Sequence, residues 1–151
     1  MGARRAAAPI RKRRIKKAAE AGLADRGDFQ VATVQGFPGT GYDLVTMFDR
    51  LHDMGDPPGA TRRALAPDGT WLLVEPFASG KVEENFTPVG RLCDNGSTFL
   101  CVPNALSREG GYALGAQAGP AAIRELATKA EFAHFRQVVQ TAFDLVYEIR
   151  P

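Results

Sequence analysis

Four ionisable side chains follow one short apolar segment of this sequence. YDLVTMF (residues 42–48) leads into three acids and one imidazole, namely Asp49, His52, Asp53 and Asp56. A packed strand does not need such side chains at its end. A histidine beside a carboxylate can act as a general base near neutral pH, because the carboxylate orients the ring and stabilises its charged form. These residues therefore predict a site, provided that another element brings a carboxylate to His52.

A second segment can supply that carboxylate. FQVATV (29–34), YDLVTMF and WLLVEPF (71–77) are rich in β-forming residues, and the third is apolar on both faces, as an internal strand is. In open α/β sheets, ligands bind outside the carboxyl ends of the strands. Because Glu75 lies near the end of the third predicted strand, we expect it to face the same cleft as His52.

A structural interpretation of the same side chains stays open. Asp53 and Asp56 can cap the following helix, with His52 as an ordinary hydrogen-bonded polar residue. A metal is not expected, since His134 is the only other histidine and lies far along the chain. One histidine with an aspartate does not specify a metal site.

Composition and length are those of one globular domain. The chain has 151 residues, of which 44% are hydrophobic and 24% charged. No apolar run approaches the ~18 residues of a membrane-spanning helix, and none follows the N-terminal charges as in a secretory signal. Cys93 and Cys101 fit no zinc spacing and are expected to be reduced thiols. We therefore expect a cytoplasmic protein without a membrane partner.

The charges are distributed unevenly. Residues 1–17 carry eight basic side chains and no acid, so all 17 acidic side chains lie in the rest of the chain. Such an arm can bind the phosphates of nucleic acids. It contains no aromatic residue for base stacking, and a solvated helix is the simpler interpretation. Nucleic acid is therefore not expected as a partner.

The order of predicted elements indicates the fold class. A helix from Ala6 to Ala21 precedes the three strands, a short helix and an APDGT turn come before the third strand, and a helix follows from Pro120. FRQVVQT and FDLVYEIRP then predict an antiparallel hairpin. This alternation predicts an α/β fold with a mostly parallel sheet and a C-terminal hairpin. Residues 78–118, rich in Gly, Asn, Ser and Pro, predict a lid segment.

Several motifs together resemble a known family. YDLVTMFDRLHDMGDP, LAPDGTWLLVEPF, ALGAQAG and FDLVYEIRP resemble the carboxyl half of class I S-adenosylmethionine-dependent methyltransferases, in particular a bacterial group that often carries an amino-terminal winged-helix domain. The resemblance runs from about Lys17 to Pro151. It implies an incomplete Rossmann-like methyltransferase sheet, divided into a basic arm (1–17) and a partial catalytic domain (18–151) with residues 78–118 as its substrate-side lid.

The resemblance also implies S-adenosylmethionine as the cofactor. Ala32, Thr33, Phe48 and Asp49 would line the cofactor side. In the family, the first strand carries a Gly-rich loop for the methionine end of the cofactor, and the second ends in an acid for its ribose; neither strand has a counterpart here. FPGTGYD precedes a strand and opens no helix, so it is not that loop. Gly36 stands where an Asp usually contacts the adenine.

A looser similarity to plant-type small-molecule O-methyltransferases implies the catalytic roles. Their LHDW-like motif supplies the base, so His52 would be the base and Glu75 a flanking carboxylate. Gln117 falls approximately where the second carboxylate would lie, and we place it with Asp53 on the substrate side. Arg50 stands where relatives tend to have a small residue.

These resemblances lead to two functional hypotheses. The first is a methyltransferase fragment whose intact form methylates a small-molecule hydroxyl; whether this chain is itself an enzyme stays open, because it lacks the Gly-rich loop. The second is a non-catalytic remnant or an interaction module. In that case YDLVTMF would lie at an exposed sheet edge and recruit a second chain as a homodimer, and the basic arm would add nucleic-acid affinity.

Overall fold

The computed structural model describes residues 2–33, 36–54, 57–107 and 112–151. It divides the chain into two compact units, residues 1–38 and 39–151, which are described separately below. Asp56, considered above as a helix cap, lies outside the described residues, as does Val34 at the end of the first predicted strand.

One helix forms most of the first unit. α1 spans Gly2–Glu20, and from Arg11 onward its side chains are almost all exposed. Beyond its end, the amides of Gly22 and Leu23 donate to carbonyls of the last helical turn, with Gly22 at a φ of +68°. The helix thus ends at a residue in the left-handed conformation, which glycine adopts without steric cost. The basic residues of the predicted arm thus belong to one continuous helix.

The strand predicted over residues 29–34 is not formed in its described part. Residues 29–33 have no regular secondary structure, and most of their side chains are exposed. A strand is held by hydrogen bonds to a neighbouring strand, and the sheet of this protein is built from residues 42–150. High β-propensity alone does not keep such a segment extended and paired. The sequence-based prediction is wrong for this segment.

The second unit is an α/β layer built on four strands. The sheet order is β1-β2-β4-β3, with β1 and β2 parallel and the other two pairs antiparallel. The α/β class and the C-terminal hairpin are confirmed, but the sheet has one parallel pair and two antiparallel pairs instead of a parallel majority, because the hairpin supplies two of its four strands. Its elements are β1 (Tyr42–Phe48), a 3₁₀ turn (Leu51–Asp53), α2 (Pro57–Ala64), β2 (Leu65–Pro76), a 3₁₀ turn (Val82–Asn85), α3 (Pro88–Gly96), a π-turn (Ser97–Cys101), α4 (Val102–Leu106), α5 (Gly119–Lys129), β3 (His134–Gln140) and β4 (Asp144–Arg150).

The turn predicted at APDGT lies within β2. Tyr42 faces Leu65, whereas Leu44 already faces Thr70, so the register with β1 shifts sharply between these two pairs. The turn-forming residues therefore form an irregularity in a long strand and do not separate two elements. None of the described helices is long and apolar enough to span a membrane.

The core lies between one face of the sheet and α5. Trp71 and Leu73 of β2 and Tyr147 and Ile149 of β4 are at most 1% exposed. They belong to one cluster with apolar residues of α5 and the chain that follows it: Ile123, Ala127 and Phe132. The helical periodicity read from the sequence for α5 is confirmed. Burial of these large side chains supplies most of the driving force for this layer.

Along β1, no described element covers the opposite face of the sheet. Val45 and Met47 pack against the core, whereas Leu44 and Phe48, which alternate with them, are 55% and 58% exposed. In the described part of the chain, β1 pairs with β2 alone and forms an edge of the sheet. Sheets with parallel strands usually have both faces covered. β1 therefore presents both an open edge and an open apolar face.

Candidate active site

The turn after β1 carries the histidine out of the sheet. Asp49 has a φ of +47°, and its amide donates to the carbonyl oxygen of Val74 on β2 at 2.9 Å. The chain then enters the 3₁₀ turn, whose second residue is His52. Since β1 and β2 run parallel, this turn lies beside the carboxyl end of β2, where Glu75 is the penultimate residue.

His52 and Glu75 form a buried pair. His52 Nδ1 lies 2.6 Å from Glu75 Oε2, and the two side chains are 8% and 3% exposed. The other carboxylate oxygen, Oε1, accepts hydrogen bonds from the amides of Arg50 at 3.1 Å and Leu51 at 2.8 Å. Glu75 therefore fixes the ring and caps the first amides of the turn at the same time. With Nδ1 donating to the carboxylate, the free lone pair of a neutral ring lies on Nε2.

The charges around His52 favour its protonated form. Burial alone would lower the pKa of His52, but the hydrogen bond and charge of Glu75, assisted by Asp53 and Asp49, outweigh it, so the pKa is raised above 6.5. Burial raises the pKa of Asp49, and the nearby carboxylates of Asp144 and Glu75 raise it further. The carboxyl ends of β1 and β2 thus form a predominantly acidic cluster.

A helix of the lid segment lies over this cluster. α3 begins after Thr87, whose hydroxyl accepts the amide hydrogen of Gly90 at 3.0 Å, and it continues through the π-turn into α4. Burial raises the pKa of Cys93, as do Asp144 and Asp49. The lid segment contains a nearly continuous helix from Pro88 to Leu106, called the lid helix below, with Cys93 on the side near the acidic cluster.

The π-turn sets which side chains share that inner face. Cys101 also has a raised pKa, through burial and then through Asp53 and Glu75, so both thiols lie near the acidic cluster. Cys93 and Cys101 are eight residues apart, which places them about 80° apart around an uninterrupted α-helix. A π-turn takes up about one extra residue, and this reduces the offset to about 20°. Both cysteines are free thiols and half-buried.

Three hydrogen bonds connect the lid segment to itself and to the turn. Asn104 Nδ2 donates to the carbonyl oxygen of Asp53 at 3.1 Å. The backbone amide of Gly115 donates to the carbonyl oxygen of His52, also at 3.1 Å. The hydroxyl of Ser97 accepts the amide hydrogen of Ala116 at 2.9 Å. Sequence reasoning missed Ser97, Asn104 and Gly115. ALGAQAG was noted only as a motif, and no pattern marked Ser97 or Asn104.

The other sequence-predicted residues have separate positions. Asp53 Oδ2 lies 3.2 Å from Arg50 Nη1, while its buried Oδ1 has no hydrogen-bond partner in the described part of the chain. Gln117 is half-buried, and its buried Nε2 has no described partner either. Ala32 and Thr33 are exposed in the first unit. Among the described residues, no group of three or more His, Cys, Asp or Glu is arranged to hold a metal ion.

Solved structures share the arrangement of these elements. The mitomycin 7-O-methyltransferase MmcR superposes with a TM-score of 0.68 at 17% identity, covering 95% of this chain and 39% of that one. An O-methyltransferase family protein from Burkholderia thailandensis gives 0.66 at 18%, covering 93% and 40%. Human N-acetylserotonin methyltransferase in complex with SAM gives 0.58 at 22%, covering 82% and 33%. This is part of a class I methyltransferase fold.

Nearly all of this chain matches the methyltransferase fold, but it matches only part of each methyltransferase. This chain spans about two fifths of the length of the first of these structures and corresponds to their carboxyl-terminal part. The resemblance inferred from the sequence motifs is therefore confirmed at the level of the fold. No protein-family model and no curated protein matches the sequence.

Proposed function

We propose that this chain is the carboxyl-terminal part of an S-adenosylmethionine-dependent methyltransferase whose intact form methylates a small-molecule hydroxyl. The observation that carries the proposal is the buried 2.6 Å contact between His52 Nδ1 and Glu75 Oε2 at the carboxyl ends of two parallel strands. The neighbours named above support it, as does an O-methyltransferase family 2 protein from Planctomyces limnophilus solved in complex with apigenin.

His52 is the proposed base. Its Nδ1 hydrogen is donated to Glu75, so the lone pair on Nε2 can accept the proton of a substrate hydroxyl. Glu75 stabilises the imidazolium that results, and its bonds to the Arg50 and Leu51 amides keep it in place during that change. The cofactor, when bound, supplies the methyl group. The base contributes a smaller factor than the alignment of the reacting groups.

Asp53 and Gln117 are proposed to contact the substrate. Asp53 Oδ1 is a buried acceptor, and Gln117 Nε2 is a buried donor; neither has a hydrogen-bond partner in the described part of the chain. An unsatisfied buried polar group is costly, so a bound molecule that supplies the missing partner is favoured. A substrate with its own donor and acceptor would satisfy both groups.

The residues present fit one wall of a cofactor site. Phe48 presents an exposed aromatic ring at the carboxyl end of β1, with Asp49 beside it, and such a ring can stack on a nucleobase. Among the residues that the structure describes, no Gly-rich loop follows a strand and opens a helix. The chain therefore does not complete the site by itself. The assignment of Ala32 and Thr33 to the cofactor side stays a proposal.

This chain alone is expected to bind S-adenosylmethionine with a dissociation constant weaker than about 1 mM, because most of the contacts that hold the cofactor are absent. Isothermal titration calorimetry tests this directly. If weak heat is observed, Phe48→Ala should abolish it, while Phe99→Ala, which removes an exposed ring from the lid segment, should not. A micromolar dissociation constant without any added partner contradicts the expectation.

Three further assignments stay predictions. They are the division into an arm (1–17) and a partial catalytic domain (18–151) with a substrate-side lid segment, the cytoplasmic location, and the absence of a nucleic-acid partner. The lack of aromatic side chains in α1 supports the last of these, because bases have no ring to stack on.

The open edge of β1 supports a second candidate, an interaction module that forms a homodimer. β1 carries one charged residue, Asp43, and neither lysine nor proline, whereas the opposite edge strand β3 carries His134, Arg136 and an irregular register. Charges and bulges are the usual protection of a sheet edge. An antiparallel β1–β1 pairing centred on Val45 would place Leu44 opposite Thr46 of the second copy and would keep the two Asp43 side chains apart.

Sedimentation velocity tests the homodimer. The chain is expected to sediment as a dimer at tens of micromolar, and Leu44→Lys should convert it to a monomer, because a lysine on the edge strand opposes pairing. Val139→Lys, on the other edge strand, is the matched control, since Leu44 and Val139 are 55% and 50% exposed. A wild-type chain that is monomeric throughout this range removes the second candidate.

A further inference from the structure

The 3₁₀ turn that carries His52 is capped at both ends by other elements. Glu75 accepts the two amides at its start. At its end, the carbonyl oxygens of His52 and Asp53 accept from the lid segment, through the Gly115 amide and the Asn104 side chain. Carbonyls at the end of a helical turn have no partner within the turn and must find one elsewhere. The lid segment therefore completes the hydrogen bonding of the turn.

The Gly115 contact depends on the π-turn. Gly115 has a φ of +73°, and a Cβ atom at this position would lie 2.5 Å from the Ser97 hydroxyl oxygen, so only glycine fits. Ser97 begins the π-turn and binds the amide of Ala116. The helix is thus fastened to the strand-end turn through the backbone of Gly115 at one point and through the side chain of Asn104 at another.

Asn104 faces the site because of the same π-turn. It lies three residues after Cys101, and therefore on the same side of the helix. The carbonyl that it contacts is the one next to His52 in the chain. A shift of this side chain changes the position of the turn and, with it, the position of the imidazole relative to Glu75.

We propose that Asn104 is a positioning residue that couples the lid helix to His52. Its amide holds the carbonyl of Asp53, so this hydrogen bond links the position of the lid helix to the turn that carries the imidazole. The coupling is a property of this chain by itself, while its importance for methyl transfer rests on the proposed role of His52 as the base.

The two native thiols, Cys93 and Cys101, lie on the inner face of the lid helix and report on this coupling without any added cofactor. Alkylation of Cys101 by iodoacetamide, followed by mass spectrometry, is expected to be more than twofold and up to about fivefold faster in Asn104→Ala, because loss of one hydrogen bond raises the fraction of open lid while the half-buried thiol already reacts slowly in the closed state. Asn104→Asp, which keeps the shape but places a carboxylate against the carbonyl, should accelerate it further. Asn95→Ala is the matched control, since Asn95 bonds to Arg91 on the exposed side of the same helix.

Histidine NMR supplies a readout that a merely structural role would not move. The chain has two histidines, so His52 and His134 are readily told apart. In Asn104→Ala the titration midpoint of His52 is expected to move down towards its ordinary value, while Asn95→Ala leaves it unchanged. Urea unfolding of each variant verifies that the fold is intact.

Three results overturn the proposal. One is a Cys101 alkylation rate within twofold of wild type in both Asn104 variants, the second is an equal acceleration by Asn95→Ala, and the third is a His52 titration midpoint that Asn104→Ala leaves unchanged. Neither readout involves methyl transfer or the cofactor. Failure of the proposed catalytic role of His52 therefore leaves this test unaffected, and failure of this test leaves the assignment of the base unaffected.

Discussion

Replacing Glu75 with alanine is expected to lower the free energy of unfolding by about 3–5 kcal/mol. The substitution leaves the buried imidazole of His52 without its carboxylate and the amides of Arg50 and Leu51 without their acceptor. Urea unfolding followed by the fluorescence of Trp71, the single tryptophan, measures the change, because this side chain is only 1% exposed in the folded state.

Two control variants separate the causes. Glu75→Gln keeps a side-chain oxygen for the Arg50 and Leu51 amides but replaces Oε2 with an amide nitrogen that can only donate, so it loses the charge and the acceptor facing His52 Nδ1. It is expected to cost less than alanine, because both amides keep their partner. Glu125→Ala removes a carboxylate that also lies 2.6 Å from its partner, Lys129, but on an exposed helix surface, and should change stability little. An effect of Glu75→Ala below about 1 kcal/mol would show that the buried pair does not organise the turn.

Folding stability is expected to fall as the pH rises above about 6.5. The pKa of His52 is raised in the folded state, so the fold binds the proton more tightly than the unfolded chain does. The stabilisation is complete below the unfolded pKa and is lost as the pH rises through the folded pKa, with a slope of at most about 1.4 kcal/mol per pH unit. The neutral ring, which is the form that acts as a base, becomes populated over the same range.

Urea unfolding between pH 6 and pH 8.5 tests this expectation. The pKa values of the two thiols start from 9.0 and are raised further in the folded state, so the thiols contribute only near the top of this range, and the pKa of Tyr147 is raised to about 12. His52→Gln should flatten the slope, and an NMR titration of the wild-type ring should give a midpoint above 6.5. A stability that rises with pH, or a slope that survives in His52→Gln, contradicts the assignment.

The elements around the site differ in how far the sequence predicted them. β1 and the C-terminal hairpin followed from short runs of β-branched and aromatic residues, and α5 followed from the helical spacing of Ile123 and Leu126. The strand predicted over residues 29–34 was wrong in its described part, because β-propensity does not show whether a neighbouring strand is present to pair with it. The composition of APDGT favours a turn, but in the structure these residues belong to β2.

The sequence pattern did not predict the lid helix, because its buried positions change helical phase part-way along. From Gly90 to Ser97 the buried positions follow an α-helical period, and the π-turn then displaces the inner face by about one residue, so no single period fits residues 88–106. The contact between His52 and Glu75 is different, because it follows from the rule that parallel strands end at the same edge. Asn104 meets the turn only through long-range packing, which no local pattern encodes.

The position of β4 between β2 and β3 has a consequence for how the chain folds. Trp71 pairs across the sheet with Ile149, so the inner edge of β2 stays unsatisfied until the residues of β4 have been synthesised. The hairpin of β3 and β4 can form locally and quickly, but its docking on β2 must close a long loop and is the slow step. Until then the apolar edge of β2 is available to other chains. We therefore infer that ribosome-bound intermediates lacking Asp144–Arg150 are the species most prone to aggregate.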